Sequence, residues 1–205
     1  MHPFSSLSSA KATHRGVLAA LLLGLLWVPA ADAANKSAPL VCSRGSSGSR
    51  FNAVVTMPTT ESVGGRFTVR IDSVPSGKID HFGLKYVHDM ATDFLVPTGA
   101  HYVDGSARIV EGTGTENVRR DAKVWYDKET IHFLLPAHVE NGSSYTPPSI
   151  AFDLTVAADA GSELALKLTR YEVKAKAVIV GEVVTRCVPK PNPYVIGTVA
   201  IEAAH

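Results

Sequence analysis

Apolar and polar residues alternate along most of the chain from Phe51 to the C-terminus. In the clearest run, Phe67, Val69 and Ile71 alternate with polar side chains. A period of two predicts a β-strand with one buried face and one solvated face. Further runs of this kind lie at residues 51–57, 82–88, 108–110, 124–126, 131–135, 150–156, 164–168, 173–188 and 194–201, the long run at 173–188 being bent at Gly181.

Short turn-forming segments separate these runs. Glycine, asparagine and aspartate, which favour turns, mark residues 63–65, 76–77, 104–105, 141–142 and 160–161, and residues 127–129 are predicted to form a hairpin tip. No stretch shows a convincing helical period. The sequence therefore predicts an all-β fold, an immunoglobulin-like or jelly-roll β-sandwich of about nine or ten strands.

The N-terminal segment has the layout of a secretory signal peptide. Lys11 and Arg15 precede an uncharged apolar run at 17–28, and Ala31-Asp32-Ala33 matches a small-x-small cleavage site. The run is shorter than the roughly 20 residues that span a membrane. We expect residues 1–33 to be a signal peptide and residues 34–205 to be a single exported domain, secreted or in the cell envelope, without a transmembrane anchor.

The predicted domain contains two cysteines, Cys42 and Cys187. Two cysteines in an exported chain most simply form one disulfide, which here would close most of the domain. A metal or redox pair is the alternative, but two thiolates do not complete a zinc site and there is no Cys-x-x-Cys. We expect a structural bridge.

The charge balance argues against nucleic-acid binding. The whole chain has 20 basic and 19 acidic residues, and without residues 1–33 it has 18 of each. Because nucleic acids and anionic membranes attract a basic excess, a neutral domain has no general attraction to either.

A loop cluster of histidine and aspartate is the one candidate for metal chemistry. His88, Asp89, His101 and Asp104 would supply nitrogen and oxygen ligands if the chain brought them together. The alternative, which we favour, is that they cap turns and line strand ends. No nucleophile elbow or phosphate-binding loop is present, so we expect no cofactor and lean towards a protein that is not an enzyme.

Trp125 is the candidate for surface recognition. Trp125 and Tyr126 point to opposite faces of one strand, and Trp125 shares its face with Lys123 and, across the hairpin, His132. An outward Trp125 would form a sugar- or partner-contacting patch with these two residues. The alternative, which we favour, is that Trp125 packs against a second sheet or a loop.

Six aromatic residues on the predicted apolar faces bear on whether the sandwich is filled or holds a cavity. They could fill the space between two sheets or line a cavity that accepts an acyl chain, and we expect a filled core. The residues concerned are Phe51, Phe67, Phe82, Tyr86, Phe133 and Phe152.

Three segments resemble a group of secreted, mostly actinobacterial β-sandwich proteins of unassigned function. They are the early cysteine followed by Met57-Pro58 and residues 63–65, then Val96-Pro97 with residues 112–115, and the closing segment 187–193. The resemblance implies an exported, disulfide-stapled sandwich in the cell envelope. It carries no catalytic residues.

Together these features predict a non-catalytic extracellular or envelope module. We expect it to bind a hydrophobic or glycolipid-like ligand or an envelope protein. A metal-assisted enzyme using the His/Asp cluster and a structural or adhesive wall component are the alternatives. The sequence leaves open the oligomeric state, and whether the protein is free in the medium or attached to the wall.

Overall fold

The structure is a computed structural model that describes residues 31–44, 48–74, 78–110, 122–144 and 146–204. Within these ranges the chain forms strands and turns and no helix, which confirms the predicted all-β sandwich. The strands are β1 (Ala31–Cys42), β2 (Arg50–Pro58), β3 (Thr60–Ser62), β4 (Arg66–Ser73), β5 (Leu84–Leu95), β6 (Ala100–Tyr102), β7 (Arg108–Val110), β8 (Lys123–Asp127), β9 (Thr130–Glu140), β10 (Ser149–Val156), β11 (Glu163–Ala177), β12 (Gly181–Pro189) and β13 (Tyr194–Glu202).

The strands form two layers that strand β1 connects. The first layer contains β6 and β7 beside β10, followed by β4, β2 and the first part of β1. The second contains β8, β9, β5 and β11, with β12 and β13 pairing different parts of β11. Strand pairing is antiparallel except between β13 and β3. No helix of the described residues is long and apolar enough to cross a membrane.

Strand β1 belongs to both layers because its two ends pair with different strands. Residues 31–39 pair with β2, and Leu40, Val41 and Cys42 pair with β12. Cys42 lies opposite Cys187 in this register, and the two form the predicted disulfide across a sequence separation of 145. The bridge therefore fixes the point at which β1 passes from one layer to the other.

The main core confirms the predicted alternation. Phe67, Val69 and Ile71 of β4 are buried, and they face the space between the layers. Phe152 and Leu154 of β10 are also buried, as are the alternating leucines of β11. The middle of the sandwich is filled, as expected from the sequence.

The second layer extends past the first at one end of the molecule. Strand β4 ends at Ser73, whereas β11 continues from Tyr171 to Ala177, about 20 Å further at 3.3 Å per residue. We call this extension the overhang; it comprises residues 84–90, 135–140, 171–177 and 181–187. Within the overhang, residues 173–188 were predicted as one strand bent at Gly181. It is instead a hairpin in which Ala177 pairs with Gly181.

The N-terminal part of the described chain differs from the expected lead-in. Residues 34–40 form most of β1 rather than an irregular segment, because they complete the edge of the first layer. Ala31, Asp32 and Ala33 of the predicted cleavage site extend the same strand. Residues 1–30 and residues 111–121, which contain the Gly-Thr-Gly-Thr segment, lie outside the described residues.

The described residues form thirteen strands, three more than the ten runs predicted from the sequence. Strands β1, β3 and β6 are additional to the predicted runs, and their sequences lack a clear apolar alternation. The predicted hairpin tip is confirmed, since Lys128 and Glu129 adopt positive φ angles of 47° and 65° between β8 and β9. Paired positive φ angles are typical of a tight two-residue hairpin turn.

Removing the disulfide should lower the free energy of unfolding. A loop of this length contributes about 5 kcal/mol by the chain-entropy model, and loss of a native bridge commonly costs about 2–5 kcal/mol. We expect the Cys42→Ser/Cys187→Ser variant to unfold at clearly lower urea concentration than the oxidised protein. Reduced wild-type protein is the control and should match the variant. Equal midpoints for the variant and the oxidised protein would contradict a stabilising bridge.

Asp153 anchors an ion cluster on the outer face of the first layer. Its carboxylate accepts hydrogen bonds from Arg66 at 2.6 Å, Thr68 at 2.9 Å and Arg108 at 3.4 Å. Partial burial alone would raise the pKa of Asp153. The hydrogen bonds from Arg66, Thr68 and Arg108 outweigh burial, and the pKa is lowered overall.

This lowered pKa predicts a pH-dependent contribution to stability. Because the pKa of Asp153 is lower in the folded than in the unfolded chain, the stabilisation is present above the unfolded value of about 3.9 and is lost as pH falls through the folded value. We expect Asp153→Asn to be less stable than wild type at pH 7, with the difference shrinking towards about pH 2. Urea unfolding across this range measures it. The exposed Asp159→Asn variant is the control, with a difference within about 0.5 kcal/mol at pH 7.

Candidate functional site

A cleft with apolar walls and a polar mouth opens between the two layers at the root of the overhang. Its volume is about 300 Å³, and its walls come from both layers. The first layer contributes Phe51, Ile71 and Ile150, and the second contributes mainly Met90, Thr92, Phe94, Phe133, Leu135 and Tyr171. The cleft exists because the first layer ends here while the second layer continues.

Aromatic rings form one wall of the cleft. Phe51 meets Phe94 edge to face at 6.0 Å between ring centroids, and it lies 6.2 Å from Tyr171. Such ring pairs hold side chains in defined positions beyond what burial alone achieves. The cleft is therefore a shaped apolar surface rather than loose packing.

The cleft mouth carries a few polar groups. Arg50, Asn52 and Ser73 lie there, together with Val74, which is 39% exposed. Arg50 donates hydrogen bonds to the Ser37 side chain at 2.6 Å and to its backbone carbonyl at 2.8 Å, which orients the guanidinium at the rim. An apolar interior with a polar rim is the usual form of a small-ligand site.

Only two of the six aromatic residues considered for such a cavity line it. Phe51 and Phe133 do, whereas Phe67 and Phe152 fill the main core. Tyr86 packs on His138 at 4.0 Å between ring centroids, and Phe82 is fully exposed. Phe94 was missed because it lies beyond residue 88, where the predicted strand ended.

Trp125 faces solvent on the outer face of the second layer, rather than packing as we favoured. Trp125 is 43% exposed and stacks on His132 with ring centroids 5.1 Å apart. Lys123 lies on the same exposed strand, two residues away. Trp125 therefore does not pack against a second sheet, and the outward orientation is the one observed.

His132 belongs to a row of side chains that crosses four adjacent strands. Trp125 pairs with His132, His132 with Asp93, and Asp93 with Arg170. The Asp93 carboxylate lies 2.9 Å from His132 Nδ1 and accepts a hydrogen bond from Arg170 Nε at 2.7 Å. These contacts fix the imidazole under the indole ring.

The four residues proposed as a metal cluster lie on different strands and layers. His88 and Asp89 are adjacent in β5, with 3.2 Å between Nδ1 and a carboxylate oxygen. His101 is in β6 of the first layer, and Asp104 is in the turn that follows. Within the described residues no group of three or more His, Cys, Asp or Glu side chains could hold a metal ion.

Uninterrupted alternation over residues 82–88 predicts that His88 shares the face of Leu84 and Tyr86, and that this face is buried. The buried residue of this part of β5 is instead Val87. Asp89 explains the shift, since the register with β9 and β11 changes there and its φ is 47°. A bulge of this kind re-aims the side chains on either side of it.

Comparison with known proteins gives only remote structural similarity. No protein-family model and no curated protein matches the chain. The cohesin module of a family 33 glycoside hydrolase from Clostridium perfringens is 13% identical over 74% of this chain and 96% of that chain, with a TM-score of 0.35. The collagen-binding domain of a Staphylococcus aureus adhesin is 14% identical over 66% and 87%, with a TM-score of 0.36.

A third structure is the collagen-binding domain of the Erysipelothrix rhusiopathiae surface protein RspB. It is 11% identical over 84% of this chain and 56% of that chain, with a TM-score of 0.38. At these identities and TM-scores the similarity carries no argument about ligand or activity. The cleft and the outer row must be interpreted from their own chemistry.

Replacing Asp93 should test whether the outer row is part of the structural framework. Asp93→Asn removes the charge that both Arg170 and His132 contact, and disrupting such a partly buried pair typically costs about 1–3 kcal/mol. Asp127→Asn, an exposed position on the same face, should stay within about 0.5 kcal/mol of wild type. Urea unfolding of the three proteins measures this. Equal effects of the two substitutions would show that the row is not stabilising.

Proposed function

We propose that this protein is an exported, non-catalytic β-sandwich module that binds an apolar group in the cleft between its layers. The cleft is the observation that carries the proposal. The disulfide supports an extracytoplasmic location, since such bonds persist in oxidising compartments. The proposed location is the cell envelope or the surrounding medium.

The size of the cleft limits what it can hold. A cavity of about 150 Å³ is enough for benzene in another protein, so about 300 Å³ holds roughly two groups of that size. This volume suits the end of an acyl chain or a pair of large apolar side chains rather than a whole lipid. Burying each methylene contributes about 0.8 kcal/mol, so even a short apolar segment gains measurable affinity.

The rim suits a ligand whose apolar part continues into a polar one. Arg50 is oriented at the mouth by its contacts with Ser37, and Ser73 lies on the inner side of β4. Arg50 therefore presents positive charge to whatever lies outside the cleft. A hydrophobic ligand with a polar head and a protein partner with an apolar side chain both meet this description.

Titration with the apolar fluorophore N-phenyl-1-naphthylamine tests the proposal. We expect one saturable site per chain. Because Ser73 is at the inner face of the mouth, Ser73→Phe should fill the cleft and weaken binding by about tenfold or more, equivalent to at least about 1.4 kcal/mol.

Val195→Phe is the matched control, since it adds the same ring at a position that is 44% exposed and outside the cleft. This variant should bind the fluorophore as wild type does. Val74→Asp, which places a charge at the exposed rim, provides a second cleft variant that leaves the buried walls unchanged. Fluorophore binding that neither Ser73→Phe nor Val74→Asp weakens would rule out the cleft as the site.

A further inference from the structure

Four apolar side chains lie exposed together at the far end of the overhang. Phe82 is 107% exposed, Ile179 89%, Val180 69% and Val178 59%. The Val178 amide donates a hydrogen bond to the Gly83 carbonyl at 2.8 Å, which joins the turn containing Phe82 to the β11–β12 turn. We call these four residues the apolar tip.

The amino-acid composition of the apolar tip is unusual for a pair of turns. Such turns favour glycine, asparagine, aspartate and serine, whereas residues 178–180 are three consecutive β-branched residues. Clustered apolar side chains on a soluble surface commonly mark a site of contact. The composition of the tip is therefore better explained by a contact than by the turn itself.

The charges around the tip do not favour an anionic membrane. Lys78, Lys85 and Lys176 are near it, but so are Asp80 and Glu182. Lys174 is 3.5 Å from Asp89, and His138 is 2.7 Å from Glu140. With acidic and basic groups in balance, there is no net attraction to negatively charged lipid head groups.

The tip is also too small to form a flat protein interface by itself. A stable interface uses roughly 800 Å² and about 20–30 residues on each partner, far more than four side chains. A convex group of this size is buried well only by a concave apolar site. The described part of the molecule contains such a site, the cleft at the root of the overhang.

We propose that two copies of this chain clasp each other, the apolar tip of each inserting into the cleft of the other. The inference rests on the proposed function, that the cleft binds an apolar group, and it names that group. The cleft volume of about 300 Å³ matches two large side chains, such as Phe82 and Ile179. The tip lies about 20 Å from the cleft of its own chain along an extended hairpin, so it does not reach that cleft and is available to the cleft of a second copy.

The rest of the overhang adds to the contact area. Val173, Ala175 and Val183 lie on the inner face of the overhang and are half-buried in the single chain. In a reciprocal clasp the two overhangs run side by side, and these faces are covered together with both tips. A two-fold arrangement forms every contact twice and is the commonest symmetry of soluble oligomers.

Sedimentation analysis of the mature protein from about 10 µM to about 1 mM tests the clasp. We expect wild type to pass from monomer to dimer and no further. Phe82→Asn/Ile179→Asn, at exposed positions, and Ser73→Phe, in the cleft, should each stay monomeric. Val195→Thr, which removes an exposed apolar group elsewhere, should dimerise like wild type.

Mixing the tip variant with the cleft variant gives the sharpest test. Each variant lacks one half of the contact, so the mixture has one intact tip facing one intact cleft. We expect a 1:1 heterodimer that is weaker than the wild-type dimer, although neither variant dimerises alone. Val74→Asp can replace Ser73→Phe as the cleft variant if the larger ring disturbs folding.

Several results would overturn the clasp. They are a wild-type protein that is monomeric throughout the range, a tip variant that dimerises normally, a mixture that remains monomeric, and assemblies that grow beyond the dimer. Wild-type binding to phosphatidylcholine vesicles that the tip variant lacks, without dimerisation, would assign the tip to a membrane. A monomeric protein that still binds N-phenyl-1-naphthylamine would disprove the clasp and leave the proposed function in place.

Discussion

The passage of strand β1 from one layer to the other is the constraint on which the rest of the fold depends. Its first part completes the edge of the first layer, and its last three residues pair with β12 in the second. The Cys42–Cys187 bridge covalently fixes this junction. Because the two layers are joined at this point, the relative position of their ends is set, and the second layer is held beyond the end of the first.

The cleft and the overhang are two consequences of this mismatch in strand length. Where β4 stops at Ser73, side chains of β5, β9 and β11 line the cleft, and Met90 and Leu135 among them remain buried. Phe94 and Phe51 close the inner end of the gap by packing on each other, and the outer end stays open. The apolar surface of the cleft thus continues the sandwich core to a place where solvent can reach it.

The sequence predicts regular strands well because alternation is a local property, and it predicts the site poorly because the site depends on strand length. The runs around Phe67 and Phe152 were assigned correctly. Strand β1 was missed because Ala-Asn-Lys-Ser-Ala-Pro has little apolar alternation and is a strand only through pairing with β2. The face of His88 was wrong because the bulge at Asp89 reverses the inward direction there. Alternation placed Trp125 and Tyr126 on opposite faces but did not show which one faces solvent, and both are exposed, at 43% and 38%.

The apolar composition of the exposed tip can be explained only when the length of the strands beside it is known. The composition of residues 178–180 does not predict a turn, and the pattern of residues 173–188 predicts one strand bent at Gly181. Once the hairpin is recognised, the same residues lie far from any core, where burial cannot explain their apolar character. With 20 basic and 19 acidic residues, the chain gains little from electrostatic attraction over distance, so specificity of association must come from shape and apolar contact. The tip and the cleft supply complementary shapes at the same end of the molecule, which favours reciprocal pairing over an open chain.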